Sequence, residues 1–145
     1  MSSSSLAEDL AGAGIPRDQI VTEAIPPQYL SDTLGRLQGK AAALVFVRST
    51  EEVSVLLRYA HRHRLAVTPR GAGTNLVGST VPVQGGIILD LSSMNRVLEF
   101  DPDTFTVTVE PGMLLQDLQA FVESRGFFYP PDPGEKASSI GGNIS

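Results

Sequence analysis

Apolar and polar positions divide the chain into an irregular first third and a regular remainder. Ala43-Leu44-Val45-Phe46-Val47 is an unbroken apolar run of strand length, which predicts a buried strand. Val53, Leu56, Leu57 and Ala60 then recur at i, i+3, i+4 and i+7, one apolar face of a helix. Ser49 and Glu52 stand at capping-box spacing ahead of it, and Arg58, Arg62 and Arg64 gather at its end, where the helix dipole favours cations. A strand over residues 65–68 follows, and this strand–helix–strand unit predicts a parallel pair with a crossover helix. Ile87-Ile88-Leu89-Asp90 predicts another buried strand. Residues 97–100 and 105–109 flank the turn Asp101-Pro102-Asp103 and predict an antiparallel hairpin. In its second arm Phe105, Val107 and Val109 alternate with threonines, so these three are expected on the buried face. Leu114, Leu115, Leu118, Phe121 and Val122 predict a second amphipathic helix stopped by Gly126, with a short strand at Phe127-Phe128-Tyr129.

Upstream of Ala43 the pattern is weak. Ser5 and Glu8 have capping-box spacing ahead of a short helix that Gly12 and Gly14 would end, and serines 2 to 5 are expected to fray. Pro26 and Pro27 break the segment beyond those glycines, so residues 1–38 are expected to form an arm of short helix and loop, and residues 39–145 the domain proper.

Between the strands lies the chemistry. Pro69-Arg70-Gly71-Ala72-Gly73-Thr74-Asn75-Leu76-Val77-Gly78 joins two predicted strands. Its glycines bring backbone close to a ligand, and successive N–H groups in such a loop converge on anionic oxygens. Arg70, expected at the mouth of the loop, could pair with a phosphate. The alternative is a tight connection with no ligand. A dinucleotide fingerprint fails, because Leu76 stands where the third glycine is needed and no helix can grow through Pro82, Gly85 and Gly86. A P-loop fails too, because Ser79 occupies the lysine position. What survives is a strand–loop–strand phosphate cradle, with a second glycine- and hydroxyl-rich segment at Ser138-Ser139-Ile140-Gly141-Gly142-Asn143.

Composition narrows the field. A net charge of -5 argues against nucleic acid, which needs a basic face. The 145 residues hold no cysteine, so thiolate metal sites, disulfides and cysteine nucleophiles are excluded within them, and a reducing, cytoplasmic location is the expectation. No apolar run spans a bilayer, and no basic, apolar leader opens the chain. The two histidines, His61 and His63, sit in a solvated helix end without further ligands at metal-binding spacing.

The ordered motifs together carry a resemblance. The run from Pro69 to Leu76 with Gly78 resembles the first pyrophosphate loop of the FAD-linked oxidases of the vanillyl-alcohol-oxidase (PCMH) type. Pro131-Asp132-Pro133 and Ser139 to Asn143 resemble that family's second signature, and Glu110-Pro111-Gly112, Asp90 and Asn95 also match. The motifs are most similar to those of bacterial glycolate oxidase FAD subunits and D-lactate dehydrogenases. The resemblance implies an α+β FAD-binding domain of two subdomains, here residues 39–111 complete and a second, truncated one from residue 112. It implies that Pro69, Arg70, Gly71, Ala72, Gly73, Thr74, Asn75, Leu76 and Gly78 hold the FAD pyrophosphate. It implies that Pro131, Asp132 and Pro133 shape the flavin wall and that Ser138, Ser139, Ile140, Gly141, Gly142 and Asn143 close over the cofactor. Some members attach FAD through a histidine in the first loop; Thr74 and Asn75 stand in that neighbourhood here, which implies noncovalent FAD. Family members of this type oxidise a small 2-hydroxy acid to a 2-oxo acid, some with further oxidase subunits. Their catalytic residues lie in a later cap domain that this sequence lacks, so the chain alone is expected to be inactive. A non-catalytic FAD-domain module, or a partner of a split enzyme, is the alternative, and a fragment that does not fold alone is a third.

Overall fold

The computed structural model describes residues 3–145. The fold is α+β, with a four-stranded sheet, a separate hairpin and helices packed on each. In chain order the elements are α1 (Ser3–Ala13), β1 (Ile20–Val21), β2 (Ala43–Phe46), α2 (Thr50–His63), β3 (Val67–Arg70), β4 (Ile87–Asp90), β5 (Val97–Asp101), β6 (Thr106–Val109), α3 (Leu115–Glu123) and α4 (Ile140–Ile144).

The first sheet runs β1-β2-β4-β3. Strands β2, β3 and β4 are mutually parallel, and β1 adds antiparallel at the edge, Ile20 opposite Val45. The expected parallel crossover exists, but β2 and β3 are not neighbours: β4 inserts between them. A fully buried Ile-Ile-Leu-Asp strand belongs at the centre of a sheet covered on both faces, and all four of its residues are buried. The third strand begins two residues later than expected and takes in Pro69 and Arg70, which the sequence placed in the loop. Because β3 is an edge strand, Pro69 costs the sheet no ladder bond it would otherwise need.

Helix α2 starts as its capping residues require. The Ser49 side chain accepts from the Glu52 N–H at 3.2 Å. The Glu52 carboxylate reaches back to the Arg48 N–H, one residue earlier than in a standard capping box, and also accepts from Gln19 Nε2 at 2.8 Å. The helix ends at Arg64, in the left-handed region at φ 53. His63 stacks on Tyr59 at 4.3 Å.

Of the segment expected as an arm, residues 6–20 pack into the main body. Helix α1 begins at Ser3, so Ser5 and Glu8 lie inside it, and the expected fraying at Ser2 falls outside the described residues. The helix closes with Gly14 at φ +115, donating to Ala11 O, and with Ile15 N–H donating to Leu10 O at 3.1 Å. Leu6, Ala7, Leu10 and Ile15 are buried in one cluster with Ala43, Val45, Leu56, Ile87 and Leu89.

The second core packs α3 on the hairpin. Leu115, Leu118 and Val122 meet Val107, Val109, Phe100 and Phe127, and Ile140 of α4 completes the cluster. Phe105 is a correction: it is 79% exposed, at φ 58 in the hairpin turn, and its ring meets Phe127 in a T-shaped pair at 5.8 Å. Residues 127–129 form no strand: Phe127 and Tyr129 pack on the second core, and Phe128 is exposed.

Arg96 and Glu110 clamp the base of the hairpin. Glu110 is 5% exposed and accepts from the Arg96 backbone N–H, Nε and Nη2 at 2.8, 3.1 and 2.7 Å. The Arg96 bonds hold its carboxyl below the usual carboxylate range. A lowered folded value means this stabilisation is present above the unfolded value of about 4.3 and is lost as pH falls through the folded one. Glu110→Gln should therefore lower the melting temperature at neutral pH and flatten its fall below about pH 4. Parallel acid melting curves for the two proteins would refute the clamp.

Candidate functional site

At the carboxyl end of a parallel strand, the chain leaves the sheet and can surround a ligand with loop backbone. Here β3 opens into residues 71–80 and β4 into Leu91, and between them lies a cleft of about 670 Å³. Pro111, Ser138, Ser139 and residues 141–143 form its opposite wall. Four backbone bonds fix that wall: Leu115 N–H to Ser138 O (2.9 Å), Gln116 N–H to Lys136 O (3.0 Å), Ile140 N–H to Met113 O (2.8 Å) and Gly141 N–H to Pro111 O (2.9 Å).

The walls touch at their smallest residues. Ala72 N–H points at Ser139 Oγ, 3.4 Å away, and a Cβ on Gly71 would lie 2.1 Å from the same oxygen. Gly73 takes φ +74, and a Cβ there would lie 2.1 Å from the Arg70 guanidinium. Asn75 is spent within the loop: its amide donates to Thr80 Oγ1 at 2.8 Å and its carbonyl accepts from Ser79 N–H at 3.1 Å. The N–H groups of Gly73, Thr74, Asn75 and Leu76 make no hydrogen bond to the protein among the described residues. Across the cleft, Ser138 is 7% exposed and its hydroxyl has no partner.

Arg70 departs from its expected place at the mouth. It is 8% exposed, with its guanidinium 4.9 Å over the Tyr29 ring and its Nη1 3.4 Å from Thr80 Oγ1. Asp90 sits opposite it in the β3–β4 register and is 2% exposed. Burial pushes the Asp90 carboxyl up, against bonds from the Ser92 N–H and hydroxyl and against the Arg70 charge. Burial, and then the Asp90 charge, also raise the Tyr29 hydroxyl, while Arg70 opposes them.

Of the residues singled out from sequence, Pro69, Arg70, Gly71, Gly73, Thr74, Asn75 and Leu76 line the cleft from one side. Pro133, Ser138, Ser139, Gly141, Gly142 and Asn143 line it from the other, the last three inside the short helix α4 rather than an open loop. Five stand back from it. Ala72 contributes its N–H to the wall contact, and Gly78 turns at φ +75 against Leu37. Pro131 accepts from Gln119, Asp132 caps Gly134 N–H at 3.1 Å in an exposed turn, and Ile140 is core. Asp132 thus forms a turn and does not line the cleft, although its neighbour Pro133 does. Ser79, Thr80, Leu91, Glu135 and Ser145 line the cleft without having been singled out as ligand contacts. Of these, Ser79 and Thr80 had a local signal, hydroxyls directly after Gly78. The Glu135 carboxylate is engaged by the Ala137 N–H at 2.9 Å.

These features fit a dinucleotide pyrophosphate. Free N–H groups, an orphaned hydroxyl and two glycines whose Cβ atoms would obstruct the walls suit a doubly charged linker lying against the backbone.

Comparison with known proteins agrees. The chain is 39% identical over 140 residues to the glycolate oxidase subunit GlcD of Bacillus subtilis (strain 168), covering 89% of this chain and 30% of that one. It is 39% identical over 132 residues to the D-lactate dehydrogenase of Anaerostipes hadrus, covering 90% and 28%. The chain therefore spans less than a third of the length of these relatives. The structure of 4-ethylphenol oxidase from Gulosibacter chungangensis superimposes with a TM-score of 0.82 at 27% identity, covering 97% of this chain and 28% of that one. The FAD binding domain model matches residues 41–145. On the strength of that match and of the cleft it encloses, the chain belongs to the FAD binding domain family, with FAD as its cofactor.

Proposed function

We propose that this chain builds the pyrophosphate-holding part of an FAD-dependent oxidoreductase of the glycolate oxidase and D-lactate dehydrogenase type, and that it holds FAD noncovalently. The observation that carries the reading is the row of unengaged N–H groups at Gly73 to Leu76, in a loop that lines the same cleft as the orphaned Ser138 hydroxyl. When bound, the flavin supplies two-electron acceptance from the substrate carbon. The chain's own part is to bind and orient. Residues 73–76 would donate to the pyrophosphate oxygens, Ser138 and Ser139 would face them, and Gly71 and Gly141 would keep the walls close enough to exclude water. Thr74 and Asn75 stand in the part of the loop where some family members carry the histidine that bonds the flavin, which supports noncovalent attachment. A 2-hydroxy acid is the substrate class that the names of these two relatives support. A competition titration tests the reading. Bound FAD should be displaced by ADP, which carries the pyrophosphate, at concentrations where FMN, with one phosphate, displaces little. Displacement by FMN as effective as by ADP would overturn the pyrophosphate assignment.

A further inference from the structure

Phe46, Asp90 and Arg70 stand side by side in register at the carboxyl ends of β2, β4 and β3. Tyr29, from the short 3-10 turn Pro27–Tyr29, lies across this row. Its ring makes a T-shaped pair with Phe46 at 6.0 Å and lies under the Arg70 guanidinium, 4.9 Å from Cζ to the ring centroid. The guanidinium in turn fills the space beneath Gly73 and reaches Thr80 Oγ1, so it touches both ends of the 73–80 loop. Two further contacts come from the same segment. Thr33 Oγ1 donates to Gly73 O at 3.3 Å, and Leu37 packs against Gly78.

From this we infer that Tyr29 is a positioning residue for the cofactor loop: it orients the Arg70 guanidinium, which holds residues 73–80 in the conformation that presents their N–H groups. The inference rests on the FAD reading for its consequence in binding, but its structural half is independent of it. Tyr29 is not among the residues lining the cleft, and its hydroxyl makes no hydrogen bond in the described structure. What it supplies is an aromatic face to a buried cation. Buried cation–π contacts of this kind are stronger than exposed ones because little water competes for the cation. A planar guanidinium stacks on a ring where an ammonium does not.

Two readouts on the full chain test this. The first is amide hydrogen exchange of the ligand-free protein at Ser79 and Val81, whose N–H groups bond to Asn75 Oδ1 and Gly78 O. Tyr29→Leu should speed their exchange about fivefold or more, with the Ile88 amide at the sheet centre unchanged. Tyr29→Phe should leave all three as in the parent. Arg70→Lys, which keeps the charge and loses the plane, should loosen the same two amides. The second readout is FAD affinity, which should fall about fivefold or more in Tyr29→Leu and be restored in Tyr29→Phe. Unchanged exchange at Ser79 and Val81 in both Tyr29→Leu and Arg70→Lys would overturn the inference. So would a Tyr29→Phe variant as loose as Tyr29→Leu. If the loop loosens as expected while the parent itself binds no FAD, the positioning role stands and the FAD reading falls.

Discussion

Gly73→Val is expected to abolish measurable FAD binding while the far-ultraviolet circular dichroism stays that of the parent. Two physical effects act together at this position. Gly73 adopts φ +74, a region that costs a side-chain-bearing residue about 1–2 kcal/mol, and a β-branched one more. A Cβ would also lie 2.1 to 2.7 Å from three atoms of the Arg70 guanidinium, which the Tyr29 ring confines from beneath. Either the guanidinium or the turn must move, and each movement displaces the N–H groups of residues 73–76. The sheet is spared, because the loop leaves β3 at Arg70 and contributes no ladder bond after Leu91 N–H to Arg70 O. Flavin fluorescence titration of the two proteins checks the result. A variant that binds FAD as tightly as the parent would show that residues 71–78 do not form the cradle.

Leu10→Ala carries the largest expected loss of stability. Leu10 is fully buried, its carbonyl accepts the bond that closes α1, and its side chain shares a core with Ile15, Leu56 and Ile87. Truncating a leucine in such a site costs about 2–5 kcal/mol, through lost burial and the cavity left behind. In a domain of this size that is a fall in melting temperature of roughly 5–15 °C. Were residues 1–38 an arm outside the core, the change would be about 0.5 kcal/mol or less. Thermal melts of the parent and Leu10→Ala separate the two cases.

The division between legible and illegible elements reflects which interactions are local. Strands β2 and β4 and helices α2 and α3 could be read from the chain because burial on both faces, or on one helical stripe, writes itself as a run or a period. The cap at Ser49 could be read for the same reason: its partner is three residues away. Strand β1 could not, since two residues carry no period and its pairing partner lies more than twenty positions downstream. Pro69 misled the boundary of β3, because proline argues against a strand unless the strand is known to be an edge. Phe105 misled because a two-residue period continues across a turn where φ turns positive.

The site shows the same division. Both glycine-rich walls were visible as sequence, since the residues that make backbone accessible are those without side chains. That Ser139 meets Gly71 was not visible, with 67 residues separating Ala72 from its acceptor. Arg70 is expected from sequence at the mouth of the loop, open to a phosphate, whereas most of its surface is buried. Its burial depends on Tyr29 and Asp90, neither of which lies near it in the chain.

The most direct test of the central claim is an equilibrium titration of FAD into the purified 145-residue chain, monitored by flavin fluorescence and completed by competition with ADP and FMN. Saturable binding of one FAD per chain, reversed by ADP well before FMN, is the result this account predicts. A folded chain that leaves flavin fluorescence unchanged, or that releases FAD to FMN as readily as to ADP, would contradict it.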